Sequence, residues 1–320
     1  MSLDWADKTA QQLLDRGLLS AKGAGICLIL GAVDTGKTTL AIALAKRLAA
    51  SGPIGIVDAD VGQSHIGPPA TVGWAVIDNP QVELSQLPVA GIAFVGDVTP
   101  VGHLLQLTAG IAQGVQQVSQ AAGLIIIDTP GFIQGPAAAA LWWTVHQIIR
   151  PALILAVQRN DELSDILVGL KTFSCRIEQI RCPLDIPVKS PPERRRYRQD
   201  QFDRYFRDSC HYNINITEVA VQARCPLRVG EPRVEGGDPA INCGANRRLA
   251  PKFIWGFTAG LVNRLVGLRD EKGADLAVGV VTDLQQEGKI IVVKAPPLDV
   301  GQVRCLVIGD IAADIAGAVG

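Results

Sequence analysis

Paired cysteine spacing is the first thing the sequence lacks. Its seven cysteines (Cys27, Cys175, Cys182, Cys210, Cys225, Cys243 and Cys305) are odd in number and include no CxxC. That speaks against a disulfide framework and against a zinc site; they read as reduced thiols of a cytoplasmic protein. A predominant charge is lacking too, with 30 Lys plus Arg against 31 Asp plus Glu. Nothing global therefore announces an anionic membrane or a long polyanion as partner. Long hydrophobic runs are missing: the most apolar stretch, 137–157, is broken by His146, Gln147, Arg150 and Pro151, too polar at its centre to span a bilayer. The first twenty residues are polar and amphipathic, unlike a secretory leader. There is no internal repeat, and 33 Gly and 19 Pro are scattered rather than clustered. With 48% hydrophobic and 19% charged residues the chain is globular rather than disordered, and 320 residues suit two domains at roughly 100–200 each.

Up to residue 208, short apolar runs alternate with helical patterns. This is the texture of an α/β fold, a parallel sheet wrapped by crossover helices. Strands are expected over 26–31, 54–60, 89–95, 124–128 and 152–157, and helices over 37–50, 100–121 and 136–149. Beyond 208 the runs are β-branched and divided by Gly, Pro and Asn, so 209–320 reads as a smaller, mostly β domain. Its strands are expected over 214–223, 275–282, 289–294 and 303–308, with one helix near 255–266. The LQQEG segment between the second and third of these strands has a length that suits a hairpin.

Gly31-Ala32-Val33-Asp34-Thr35-Gly36-Lys37-Thr38 matches GxxxxGK[ST] between a strand and a helix. In such a loop the backbone N–H groups and the helix N-terminus cradle phosphates. Lys37 then reaches the β- and γ-phosphates, and Thr38 offers a hydroxyl to Mg²⁺. Two acidic sites follow. Asp58 and Asp60, at i and i+2, are expected to emerge together at the end of the second strand, where one carboxylate can hold Mg²⁺ and another can accept a proton. Asp128 ends the apolar strand Leu124-Ile125-Ile126-Ile127, the usual place for a carboxylate that orients the metal. The same letters, Asp128-Thr129-Pro130-Gly131, also satisfy the DxxG switch of GTPases, although Gln158-Arg159-Asn160-Asp161 is not the NKxD that reads guanine.

Ser190-Pro191-Pro192-Glu193 has the form of a capping box opening a helix. From Lys189 to Arg207 there are seven basic residues against three acidic ones, a local charge of +4. Arg194 and Arg198, at i and i+4, share a helical face, while Phe202, Tyr205 and Phe206 can dock the helix. Clustered guanidinium groups on such a helix can act as a lid that neutralises a transferring phosphoryl group.

Taken together, Asp34 within GxxDxGK[ST], Asp60-Val61-Gly62-Gln63 after the second strand, Thr129-Pro130-Gly131-Phe132 as a TxGΦ clasp, and Arg194 to Arg198 as an RxxxR lid resemble the polynucleotide 5′-hydroxyl kinases. That family includes the kinase-like subunit of the pre-mRNA cleavage machinery and the kinase of ribosomal-RNA processing. The resemblance implies a P-loop kinase domain over 1–208 with its clasp at 129–132 and Arg-rich lid at 190–208, followed by a β domain over 209–320. It implies ATP or another NTP as donor, Mg²⁺, and 5′-OH-terminated RNA or DNA as acceptor. The donor is expected on Gly31, Asp34, Thr35, Gly36, Lys37, Thr38 and Thr39, and the acceptor on Gln63, Thr129, Pro130, Gly131 and Phe132. Catalysis falls to Lys37, Asp60, Arg194 and Arg198, with Asp60 the candidate base and Thr38, Asp60 and Asp128 the candidate metal ligands. About 24 residues precede the first strand, so base contacts made by the large N-terminal domain of the eukaryotic members are not carried over. A GTPase-type switch and a nucleotide-bound scaffold stand as the alternative readings.

Overall fold

The computed structural model describes residues 2–82, 87–223, 260–286 and 288–316. It divides into two compact units, one reaching to Arg207 and resuming at Asp314, the other running from Asp208 to Ala313.

In the first unit, β1 (Gly25–Gly31), β2 (Ile54–Asp58), β5 (Leu124–Asp128), β6 (Leu153–Gln158) and β7 (Arg176–Arg181) form a parallel sheet in the order β7-β6-β1-β5-β2. Two strands, β3 (Thr71–Ile77) and β4 (Gly91–Phe94), extend it antiparallel. The central strands are apolar up to the polar residues that end β2, β5 and β6, because each face carries its own core. In β1, Leu28 and Leu30 belong to one core while Cys27 and Ile29 belong to the other; Ile125 and Ile127 alternate with Leu124 and Ile126 in the same way. α1 (Ser2–Asp15) and α2 (Lys37–Ala49) cover one face, and α3 (Leu104–Val118), α4 (Gly135–Ile149) and α5 (Ser164–Leu170) cover the other.

Two strands of this unit escape the sequence pattern. β3 contains Gly73 in mid-strand, which interrupts its apolar run. β7, Arg-Ile-Glu-Gln-Ile-Arg, alternates charged and apolar residues as an edge strand does, and its Glu178 pairs with Arg16 at 2.7 Å. The segment expected to be a lid contains α6 (Pro191–Tyr205), opened by the capping box: Ser190 Oγ accepts from Glu193 N, and Ser190 N donates to Glu193 Oε2 at 2.6 Å. Phe202 and Phe206 are buried.

The second unit is a β-structure around its own core. β8 (Cys210–Asn215), β12 (Ile290–Ala295), β11 (Asp275–Gln285), β10 (Arg264–Arg269) and β13 (Cys305–Ala312) pair antiparallel in that order, and β9 (Ala220–Ala223) lies parallel to β13. β11 and β12 form the expected hairpin. The run over 214–223 is two strands rather than one, because Asn215 Oδ1 accepts from both N and Oγ1 of Thr217 and turns the chain. The helix expected near 255–266 is corrected in its described part: 260–263 is a turn and Arg264 opens β10, whose Leu265, Val266 and Leu268 are fully buried by strand pairing on both sides. The rest of that segment, like Cys225 and Cys243, lies outside the described residues. The five described cysteines are unpaired. Among the described residues no helix is long and apolar enough to cross a membrane.

Candidate active site

The parallel register sets the C-terminal ends of β1, β5 and β2 side by side, with Asp128 opposite Ile29 on one flank and Asp58 on the other. Ligands of α/β sheets bind at this edge. The loop leaving β1 enters α2 through Gly36, whose φ of 84° is the left-handed turn a Cβ would strain. The buried Lys37 Nζ donates to Ala32 O at 2.6 Å, as does Thr35 Oγ1 at 2.9 Å. Burial pulls the Lys37 ammonium below the usual lysine range, against the opposing pull of Asp128, Asp60 and Asp34. An arriving phosphate restores the charged form.

A cleft of about 550 Å³ gathers Asp34, Thr35, Gly36, Lys37, Thr38 and Thr39 of this loop with Asp60, Gln63, Pro130, Gly131, Arg194 and Arg198. Gly131 comes so near the loop that a Cβ on it would fall 2.5 Å from Val33 N. Two expected clasp residues stand apart. Thr129 is fully buried with its hydroxyl donating to Ile29 O at 2.6 Å, so it pins the clasp to β1. Phe132 is half-buried against the core, and its carbonyl accepts from Trp142 Nε1. Gly31 is closed in by Val157 O and Thr35 and shapes the loop from below.

Asp58 and Asp60 do not act as a pair. β2 ends at Asp58, whose oxygens accept from Asp60 N at 3.1 Å, His65 N at 2.5 Å and Ile66 N at 3.0 Å. Asp58 thus folds the loop that carries Asp60. Asp60 Oδ1 accepts from Gly62 N and Gln63 N, both at 3.1 Å, while Oδ2 has no hydrogen-bond partner among the described residues; Asp60 is one of the residues that line the cleft. Asp128 Oδ2 accepts from Thr38 Oγ1 at 2.5 Å, and its Oδ1 is buried with no partner. Burial pushes the carboxyls of Asp58 and Asp128 above the usual carboxylate range, helped by repulsion from Asp60 at Asp58 and from Asp58 and Asp60 at Asp128. An orphaned carboxylate oxygen beside a hydroxyl is a hard donor set that fits Mg²⁺.

Helix α6 and the residues just before it are tied to this floor at several points. Arg194 pairs with Asp34 at 2.5 Å, and the same Asp34 oxygen accepts from Lys189 N at 3.0 Å. Gln63 Nε2 donates to Arg194 O at 3.3 Å, and Tyr197 Oη donates to Ser64 O at 3.0 Å with its ring 5.5 Å from that of His65. Burial and the neighbouring Arg195 and Arg194 pull Arg198 below the usual arginine range. Sequence reasoning missed Tyr197 and His65. The only signal was an aromatic within the Arg run and a His two residues after DVGQ, neither distinctive alone. It also missed Arg159, which follows β6 and donates to Val33 O at 3.4 Å and, closely, to Asp34 O. Asp161, where a guanine-reading carboxylate would stand, pairs with Arg181 at 2.9 Å.

The model of the mRNA cleavage and polyadenylation factor CLP1 P-loop family matches residues 31–208, more than half of the chain and the whole of this cleft. The chain belongs to the CLP1 P-loop family. Among its relatives, the polyribonucleotide 5′-hydroxyl-kinase of Pyrococcus abyssi is 29% identical over 305 residues, covering 86% of this chain and 84% of the relative. The protein of the same description in Pyrococcus furiosus is 29% identical over 90% of this chain and 87% of its own. That of Pyrococcus horikoshii is 33% identical over 68% of this chain and 59% of its own. The solved structure of Clp1p in complex with Pcf11p shares the fold, with a TM-score of 0.66 and 13% identity over 97% of this chain and 79% of that one.

Proposed function

We infer that the protein is a polynucleotide 5′-hydroxyl kinase that transfers the γ-phosphate of ATP, or another NTP, to the 5′-OH end of RNA, with DNA ends as a further acceptor. The relatives' printed activity supports the reaction and the ribonucleotide. One observation carries the reading for this chain: a carboxylate oxygen of Asp60 without a hydrogen-bond partner shares one cleft with the phosphate loop and with Arg194 and Arg198. Transfer to an alcohol needs this combination, whereas a nucleotide switch has no acceptor hydroxyl to deprotonate.

Lys37 and the N–H groups of residues 34–39 hold the donor phosphates. Asp60 takes the proton of the 5′-hydroxyl as its oxygen bonds to the γ-phosphorus and the bond to the β–γ bridging oxygen breaks, leaving a nucleoside diphosphate. Arg194 exchanges Asp34 for phosphoryl oxygens, and Arg198 adds a second guanidinium to the charge that spreads over them. Thr38 and Asp128, with Asp60 near by, would hold Mg²⁺, which when bound neutralises the β- and γ-oxygens. Pro130, Gly131 and Gln63 bound the acceptor side. The cytoplasm, where thiols stay reduced, is the compartment this reading implies.

The test is incubation of γ-labelled ATP and Mg²⁺ with 5′-OH oligonucleotides, using wild type, Lys37→Ala and Asp60→Ala. Labelled ends that vanish in both variants are expected. Unlabelled RNA and DNA ends together with GTP hydrolysis would overturn the kinase in favour of the switch.

A further inference from the structure

Two apolar side chains converge on Gly36, the residue before Lys37. A Cβ at this glycine would lie 2.9 Å from Trp5 Cζ3 and 3.2 Å from Ile186 Cδ1. Trp5 belongs to α1 and is half-buried, with the six-membered ring of its indole against the loop. Its N–H makes no hydrogen bond among the described residues and is not one of the enclosed polar atoms, so that edge of the ring meets solvent. Ile186 belongs to the wall of the phosphate cleft, whereas Trp5 borders that cleft only through Gly36, and both side chains also pack against the core under α1 and α2.

The polarity of the cleft determines which part of the donor arrives there. Asp60, Gln63 and the clasp mark the acceptor end, so the γ-phosphate points toward them. Lys37 holds the β- and γ-phosphates, and the first N–H groups of α2 at Thr38 and Thr39 are left for the α-phosphate. The nucleoside therefore leaves the loop at its Gly36–Thr39 end, beside α1 and the segment carrying Ile186. A flat aromatic ring flanked by an aliphatic side chain suits a planar base and offers nothing to a phosphate.

We propose that Trp5 is the stacking platform for the base of the donor nucleotide, with Ile186 bordering it. The proposal deepens the kinase reading and rests on it for the direction in which the donor lies.

Calorimetric binding of Mg·ATP and of Mg·tripolyphosphate to wild type, Trp5→Phe and Trp5→Leu tests it. Tripolyphosphate carries the phosphates without a base, and Leu keeps apolar packing against Gly36 without a π face. Trp5→Leu is expected to weaken ATP about tenfold while tripolyphosphate stays within about twofold, and Trp5→Phe to keep most of the ATP affinity. Equal weakening of both ligands, or ATP binding unchanged in Trp5→Leu, overturns the platform. End labelling by wild type is read separately. Absent labelling with the Trp5→Leu loss specific to ATP sinks the kinase reading and leaves the platform standing.

Discussion

Asp58 and Asp60 have the same chemistry and different work. The three N–H groups on Asp58 make it the keystone of the 58–66 loop, and Asp60, with one oxygen unpartnered among the described residues, is the proposed base. Asp60→Asn is therefore expected to lower kcat by ~10²–10⁴ with ATP affinity within about twofold, a split that steady-state kinetics and calorimetry read directly. A comparable loss of ATP affinity would make Asp60 a donor ligand rather than a base. Asp58 and Asp128 set a pH dependence. Their raised pKa values mean that the folded protein holds protons the unfolded chain has released, so this pair supports the ligand-free fold most below the ordinary carboxylate range. The support is lost as pH rises toward neutrality. Asp128→Asn should raise the Tm of the ligand-free protein by about 2–4 °C near pH 8, the equivalent of ~1 kcal/mol, and remove the Mg²⁺ dependence of ATP binding. Melts across pH in which variant and wild type run parallel would contradict this.

For the elements, helix α6 and the Asp60 loop are joined by hydrogen bonds. α6 is ordered by its capping box, and Tyr197 and Gln63 fasten it to the loop that carries Asp60, the proposed base. Tyr197→Phe removes one hydrogen bond, ~1 kcal/mol, while the ring stays to pack on His65. The expected result is a fall in kcat of about threefold to tenfold, measured by single-turnover transfer, with Tm lowered by no more than about 2–4 °C. Arg198→Ala should be more severe, about 10²–10³ in kcat, because it removes a positive charge proposed to face the reacting oxygens rather than one neutral hydrogen bond. Full transfer by Arg198→Ala would strip the lid of its role.

Over the whole molecule, a near-neutral chain must bind a polyanion through one local patch. The +4 around the lid helix can engage only a few phosphates, so the affinity for single-stranded RNA should fall with salt along a log–log slope of about −1.5 to −3, corresponding to two to four neutralised phosphates. Titrations of a labelled 5′-OH oligonucleotide over a salt series measure it. A slope steeper than about −5 would mean an extended backbone footprint, incompatible with an enzyme that grips only the terminus.

What the sequence determined by itself was local: the phosphate loop, whose backbone geometry is written in Gly31, Gly36 and Lys37; the lid start, written in Ser190 and Glu193; and the buried strands, each a contiguous apolar run. β7 and β3 were hidden because an edge strand is half polar and a glycine breaks a periodic pattern. Only the tertiary structure decided how residues far apart in the chain divide the labour. It turned Asp58 into the loop, placed Asp60 in the cleft lining with one oxygen unpartnered among the described residues, set Thr129 and Phe132 against the core, and brought Arg159 and Trp5 onto the phosphate loop. The reason is physical: a backbone motif depends on neighbours in sequence, whereas the direction of a carboxylate or an indole depends on which N–H groups and surfaces the packed sheet brings within reach.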